Sequence, residues 1–214
     1  RVSKMLFRVN AEYAQITEII DGLYICGVAS LNAKNVEKYN ISLIINATTE
    51  VPNARCLGAI PRAKLWLEDI PSADLYSHLH FQCDQIEEVV SLGGNVLVHC
   101  VAGVSRSASL CLAFLVKYRN MSLRDAYRHM ASRRPLVRPN IGFWRQLISF
   151  EQEVRRTKGS VKLVILSGQL IPDVYASAQN SEEVGNQSTR SHSSNTHKFM
   201  PSLEPLPELL EAAA

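Results

Sequence analysis

Cysteine is sparse and follows no pairing pattern. The five residues Cys26, Cys56, Cys83, Cys100 and Cys111 are odd in number, with no Cys-x-x-Cys spacing. Neither a disulfide framework nor a zinc knuckle is expected from such a set. Free thiols in that number point to a reducing compartment, cytoplasmic or nuclear. No apolar run approaches the roughly 18 residues of a membrane span. The longest, Leu110 to Val116, reads as a buried helix face. Arg1 to Val9 is basic and mixed, without the apolar stretch of a secretory signal. The net charge is only +3, too weak to imply nucleic acid as a partner. There is no internal repeat and no cluster of metal-ligating residues, so neither a metal nor a cofactor is expected.

What is present suits a single core. The chain has 214 residues, 46% of them hydrophobic, enough for one globular domain with extensions. Asp21-Gly22 reads as a turn before a strand at Leu23 to Ile25. Asn32 to Tyr39 is a short capped helix, and Ser42 to Asn46 and Lys64 to Leu67 are short strands. Asp74 to Leu92 places Leu75, Leu79, Ile86, Val89 and Val90 largely on one helical face, ended by Gly93-Gly94. Val96-Leu97-Val98 has the fully apolar character of a central parallel strand. Helices follow from about Ser107 to Arg119, from Ser122 (a cap with Asp125 three residues on) to about Ser132, and from Pro139 in a first turn to about Arg155. Strands alternating with helices predict an α/β domain with a central sheet flanked by helices.

Arg124, Arg128, Arg133, Arg134, Arg138, Arg145, Arg155, Arg156 and Lys158 crowd one stretch. They read either as a solvated helical face or as a positive rim for acidic or phosphorylated partners. Beyond Lys158, Val161 to Leu166 is a β-prone run that adds to the fold or packs on it. From Ala176 the chain is rich in Ser, Asn, Gln and His, and disorder is expected there.

The chemistry concentrates in His99-Cys100-Val101-Ala102-Gly103-Val104-Ser105-Arg106-Ser107. A Cys-x5-Arg segment between a buried strand and a helix N-terminus can curl so that its backbone N–H groups converge on one anion. The helix adds its positive end. Val101, Ala102, Gly103, Val104, Ser105 and Arg106 are thus the expected phosphate cradle, with Gly103 supplying a bend closed to other residues. Arg106 can hold two phosphate oxygens through its planar fork. The same field favours a thiolate at Cys100, a nucleophile able to form a phosphocysteine. Ser107 is placed to hydrogen-bond the sulfur. His99 is either a brace for the loop or a plain buried histidine.

The string His99 to Ser107 resembles the signature of the protein tyrosine phosphatase superfamily. Gly22-Leu23-Tyr24-Ile25, Ile44-Ile45-Asn46-Ala47-Thr48, Val96-Leu97-Val98-His99-Cys100 and Arg138-Pro139-Asn140-Ile141-Gly142-Phe143 resemble the dual-specificity phosphatases. The resemblance spans about residues 19–158. It implies a mixed, mainly parallel sheet and a domain plan of an N-terminal extension (1–18), a catalytic domain (19–158), an extension packed on it (159–175) and a tail (176–214). The run to Pro172-Asp173-Val174-Tyr175 resembles the small atypical members, for which no kinase-docking domain is expected.

The resemblance also implies a general acid on an upstream loop, and Asp69 in Leu67-Glu68-Asp69-Ile70-Pro71 fills that place. Its neighbours Asp74 and Glu68 are expected to cap the next helix and to face solvent. Asn140 matches a supporting position at the rim. Arg134 and Arg138 are expected to shape the electrostatic approach. Trp66, Trp144 and Phe143 are assigned to the core or its edge, and Cys26 and Cys111 to inert packing.

The activity implied is hydrolysis of phosphotyrosine, phosphoserine and phosphothreonine on proteins, with mitogen-activated protein kinases as partners at the family level. A phosphoinositide phosphatase is the first alternative, disfavoured by uncharged Val101, Ala102 and Val104. An inactive phosphoprotein-binding module is the second, disfavoured because Cys100, Arg106 and Asp69 are all present. The residues do not indicate an oligomeric state.

Overall fold

The structure, a computed structural model, describes residues 14–53 and 57–175. The expectations for Arg1 to Val9 and for the tail from Ala176 lie outside these residues. Five strands, β1 (Thr17–Ile20), β2 (Leu23–Gly27), β3 (Ile41–Ala47), β4 (Arg62–Leu65) and β5 (Asn95–Cys100), form one sheet in the order β1-β2-β5-β3-β4. β1 and β2 are an antiparallel hairpin across Asp21-Gly22, and every other pairing is parallel. The sheet is therefore mixed and mainly parallel.

The most apolar strand sits in the middle. Val96 and Val98 of β5 pack on one face and Leu97 on the other, all with no exposure. The same alternation runs through β2, where Leu23 and Ile25 oppose Cys26. In β3 a register shift between Ile41 and Leu43 sends these two residues to opposite faces, as an inserted residue must.

Helices cover both faces. α1 (Ala33–Lys38) lies on the smaller face, its Val36 packed with Ile44 and Leu97. The Asn32 side chain accepts from Asn35 N–H and starts this helix. On the larger face are α2 (Tyr76–Ser91), α3 (Arg106–Tyr118), α4 (Leu123–Arg133) and α5 (Ile141–Arg155). α3 is buried continuously from Arg106 to Val116. A helix enclosed on all sides can be apolar all round, which explains Leu110 to Val116. Ser122 caps α4 by accepting from Asp125 N–H.

Several boundaries differ from the sequence reading. β1 was not foreseen, because its four residues include Thr17 and Glu18 and only pairing with β2 makes them a strand. β4 ends at Leu65 rather than Leu67, since its pairing with β3 stops there. Pro139 is not in the first turn of α5. Asn140 caps that helix by accepting from Phe143 N–H, and Pro139 precedes the cap. Val161 to Leu166 does not join the central sheet. Its residues form β6 (Leu163–Leu166), paired with β7 (Gln169–Pro172) as a separate hairpin. The segment is fastened to the helices by an Arg124–Asp173 ion pair at 2.6 Å and by Ser160 bonds to buried Glu151. Trp66 is not in the core: it is 73% exposed, whereas Phe143 and Trp144 have no exposure.

Candidate active site

Four parallel strands deliver their C-terminal ends to one edge of the sheet, the usual place for a ligand in such folds. β5 ends at Cys100, and residues 101–105 lead into α3. β3 leads to the loop bearing Glu50, and β4 leads to the loop bearing Asp69.

Every carbonyl of the 101–105 loop is held from outside. Val101 O accepts from Val28 N–H at 2.9 Å. Ala102 O and Gly103 O accept from Arg134, at 3.2 Å from Nη2 and 2.8 Å from Nε. Val104 O accepts from Arg138 N–H at 2.9 Å. Ser105 O accepts from Ser109, through its backbone and its hydroxyl, both at 2.8 Å. Carbonyls turned outward in succession leave the intervening amides on the concave side, the arrangement that binds an anion. One of these amides is already engaged, Gly103 N–H donating to Cys100 Sγ at 3.2 Å. Gly103 has φ +71°, and a Cβ there would lie 2.6 Å from Arg134 Nη2 and 2.7 Å from the Cys26 backbone. Only glycine fits both the angle and the space.

Cys100 is buried, and its sulfur also accepts from the Ser107 hydroxyl at 3.1 Å. Arg106 is 3% exposed. Its Nη1 donates to Glu50 Oε2 at 2.6 Å and to Leu67 O at 3.1 Å. Its Nε has no hydrogen-bond partner among the described residues and lies 3.7 Å from Asp69 Oδ2. Burial opposes the guanidinium charge, but Glu50, Cys100 and Asp69 outweigh it and raise the Arg106 pKa. Burial likewise pushes the Glu50 carboxyl up, but the bond and charge of Arg106, together with hydrogen bonds from the Glu50 backbone and Thr49, outweigh this and leave it below the usual range.

Asp69 Oδ1 accepts from the Ser105 hydroxyl at 2.6 Å and from Asn140 Nδ2 at 2.9 Å. Asn140 N–H in turn donates to Ser105 Oγ at 3.1 Å. Two groups thereby meet on the loop, Cys100 with Ser107, and Arg106 with Asp69, Ser105 and Asn140. Glu68 is exposed, and Asp74 Oδ1 accepts from Ser77 N–H at the start of α2. The loop after Asp69 rests on α5 through Gly142, where a Cβ would come within 1.9 Å of Pro71 O.

Arg134 and Glu50 differ from expectation, and His99 takes the second of its two readings. Arg134 does not shape the approach. It is buried behind the loop, and its Nη1 also reaches Gln15 O and Thr17 Oγ1 at 2.8 and 3.0 Å. His99 shows no brace at Nδ1, which is buried without a partner among the described residues. Burial, partly opposed by the Cys100 backbone, holds its pKa down to about 4, so it is a neutral core histidine. Glu50 was missed, since nothing in Thr48-Thr49-Glu50-Val51 marks it until β3 carries it to Arg106. Within the crowded basic stretch Arg134 is buried, Arg124 is paired with Asp173 and Arg155 donates to Asn120, whereas Arg128, Arg133, Arg138, Arg145, Arg156 and Lys158 are exposed. Burial pushes the Cys26 thiol up to about 12 and raises that of Cys111, as inert packing requires.

Comparison with known proteins agrees with this geometry. Residues 23–153 match the family "Dual specificity phosphatase, catalytic domain". The chain is 43% identical over 162 residues to dual specificity protein phosphatase 14 of Mus musculus, covering 75% of this chain and 80% of that one. It is 41% identical over 149 residues to dual specificity protein phosphatase 21 of Homo sapiens, covering 70% and 77%. A crystal structure of a mouse putative dual specificity phosphatase complexed with zinc tungstate superposes with a TM-score of 0.64 at 31% identity, covering 71% of this chain and 95% of that one. The phosphate-type cradle, the sheet order and these matches agree, and the chain belongs to the dual specificity phosphatase family.

Proposed function

We propose that this phosphatase breaks phosphoester bonds in two steps on Cys100. The observation that carries the reading is the set of outward-held carbonyls from Val101 to Ser105, which turns the loop amides toward one anion. The thiolate of Cys100 attacks phosphorus, and the bond from phosphorus to the seryl, threonyl or tyrosyl oxygen breaks. Asp69 gives its proton to that leaving oxygen. Arg106, anchored through Nη1 by Glu50 and Leu67 O, offers its remaining edge to two phosphate oxygens. Water then attacks the phosphocysteine, Asp69 takes its proton, and the sulfur–phosphorus bond breaks to release inorganic phosphate. The Ser107 hydroxyl stabilises the departing sulfur, and Asn140 and Ser105 hold Asp69 at the rim. The tungstate in the related structure is an oxyanion of phosphate-like shape and supports such a cradle.

Phosphoproteins are the substrates, with mitogen-activated protein kinase signalling the pathway in view. Val101, Ala102 and Val104 lend the cradle no charge for the extra phosphates of an inositol lipid. The free buried thiols Cys26, Cys83, Cys100 and Cys111 suit a reducing cytoplasm or nucleus. Among the described residues no helix is long and apolar enough to cross a membrane. Residues 19–158 form the catalytic domain, with 159–175 strapped to it.

The test is Cys100→Ser. The variant should bind a phosphotyrosyl peptide while hydrolysing neither it nor p-nitrophenyl phosphate. Appreciable turnover by that variant would refute the assignment of Cys100.

A further inference from the structure

A cleft of about 280 Å³ opens beside the catalytic rim, lined by Arg138, Asn140, Trp144, Leu170, Pro172 and Tyr175 among others. It is smaller than the roughly 300–1,000 Å³ typical of small-molecule sites and suits one or two side chains. One wall is bonded directly to the catalytic network. Arg138 N–H donates to Val104 O, and Asn140 contacts both Ser105 and Asp69. The other wall is the β6–β7 hairpin, which leaves Ile165, Leu166 and Leu170 76%, 43% and 37% exposed. Apolar side chains exposed together beside a site mark an interaction surface.

The Arg138 guanidinium lies 4.7 Å over the Tyr175 ring. That ring is itself fixed, its hydroxyl accepting from Trp144 Nε1 at 2.8 Å and the ring packed at a tilt on Tyr127. An aromatic face holds a cation in place without neutralising it. Among the described residues Arg138 pairs with no carboxylate, unlike Arg119 and Arg124. An exposed, oriented positive charge beside an apolar cleft thus adjoins the phosphate loop.

We propose that this cleft docks the polypeptide segment flanking the phosphorylated residue of a protein substrate, taking an acidic side chain against Arg138 and an apolar side chain against Leu170. The proposal rests on the catalytic reading of the Cys100 loop. Continuity with that loop and charge complementarity at Arg138 select the substrate as occupant.

The experiment compares kcat/KM for two phosphotyrosyl peptides that differ only in Glu or Gln at the flanking positions, with p-nitrophenyl phosphate as a substrate lacking any flank. The wild type should favour the Glu peptide by about two- to fivefold, the range of an exposed ion pair. Arg138→Gln should bring this ratio to one. Leu170→Glu should lower kcat/KM for both peptides several-fold and leave p-nitrophenyl phosphate hydrolysis unchanged. A wild-type ratio of one, a ratio that survives Arg138→Gln, or an equal loss on the aryl phosphate in Leu170→Glu would overturn the proposal. Self-association abolished by Leu170→Glu with peptide kinetics intact would assign the cleft to a second copy of the chain and also overturn it. Failure of the wild type on p-nitrophenyl phosphate would refute the catalytic reading instead, and the same Glu/Gln comparison read as binding to Cys100→Ser would still decide on the cleft.

Discussion

Lowering the pH from 7 to 5 should cost the fold about 2 kcal/mol through His99 alone. The ring is 1% exposed, and its burial, with Lys64 and Arg106 nearby, holds its pKa down to about 4. In the unfolded chain a histidine titrates near about 6.5. Between these values the unfolded chain binds a proton that the folded chain excludes, so stability rises with pH across the window and falls as pH drops through it. The penalty saturates at about 3 kcal/mol below the folded value. Urea unfolding of the wild type and of His99→Gln at pH 7 and pH 5 isolates the effect, because the other titrating groups are common to both proteins. The wild type should lose about 2 kcal/mol more than the variant over that interval. Equal losses would mean that the ring is protonated in the folded protein, and the account of His99 as a neutral core residue would be wrong.

If Asp69 is the proposed acid, replacing it with Asn removes the proton for the leaving oxygen, worth about 10²–10⁴-fold in such reactions. The loss should be larger on a phosphothreonyl peptide than on p-nitrophenyl phosphate, whose leaving group departs readily without a proton; equal losses would direct attention away from Asp69. Glu50→Gln weakens the anchor on Arg106 and should lower kcat/KM about tenfold through KM, with stability reduced by about 1 kcal/mol, since the carboxylate is partly exposed. Steady-state kinetics and urea midpoints read the two effects separately. In Gly142→Ala the new methyl group must displace Pro71 and with it the Asp69 loop. We expect about 1–3 kcal/mol of destabilisation, and turnover that falls more on phosphothreonine than on p-nitrophenyl phosphate.

The parts of the site that lie within a few residues of one another were legible in the sequence. Cys100 to Ser107 declares itself because strand, loop and helix N-terminus are contiguous, and the chemistry follows from that order. Asn140 was legible as a rim position only through resemblance, although it also proves to be the cap of α5. Glu50 and Arg134 were not legible in these roles, because they reach the loop from 56 and 31 residues away along the chain. Arg134 was hidden further by its basic neighbours, which suggested a surface role for a buried side chain. Trp66 misled for a related reason: its size and its place between Leu65 and Leu67 suggest burial, while just past the end of β4 Leu65 and Leu67 turn inward and leave it outward. The β6–β7 hairpin was only half visible, since nothing in Val161 to Leu166 shows that its partner comes from the next few residues instead of the main sheet.

The outward-held carbonyls separate two tasks that many binding sites combine. In the proposed reading the anion is met by Arg106 and by main-chain groups, and the latter are the same whatever side chains positions 101, 102 and 104 carry. The side chains at 101, 102 and 104 are therefore free of any duty toward the anion, and the donors that hold the curl in shape stand outside it, at Val28, Ser109, Arg134 and Arg138. A mutational library confined to the three loop positions should alter which molecules enter the pocket while leaving the affinity for a bare oxyanion almost constant. Substitutions at Arg134 should do the reverse.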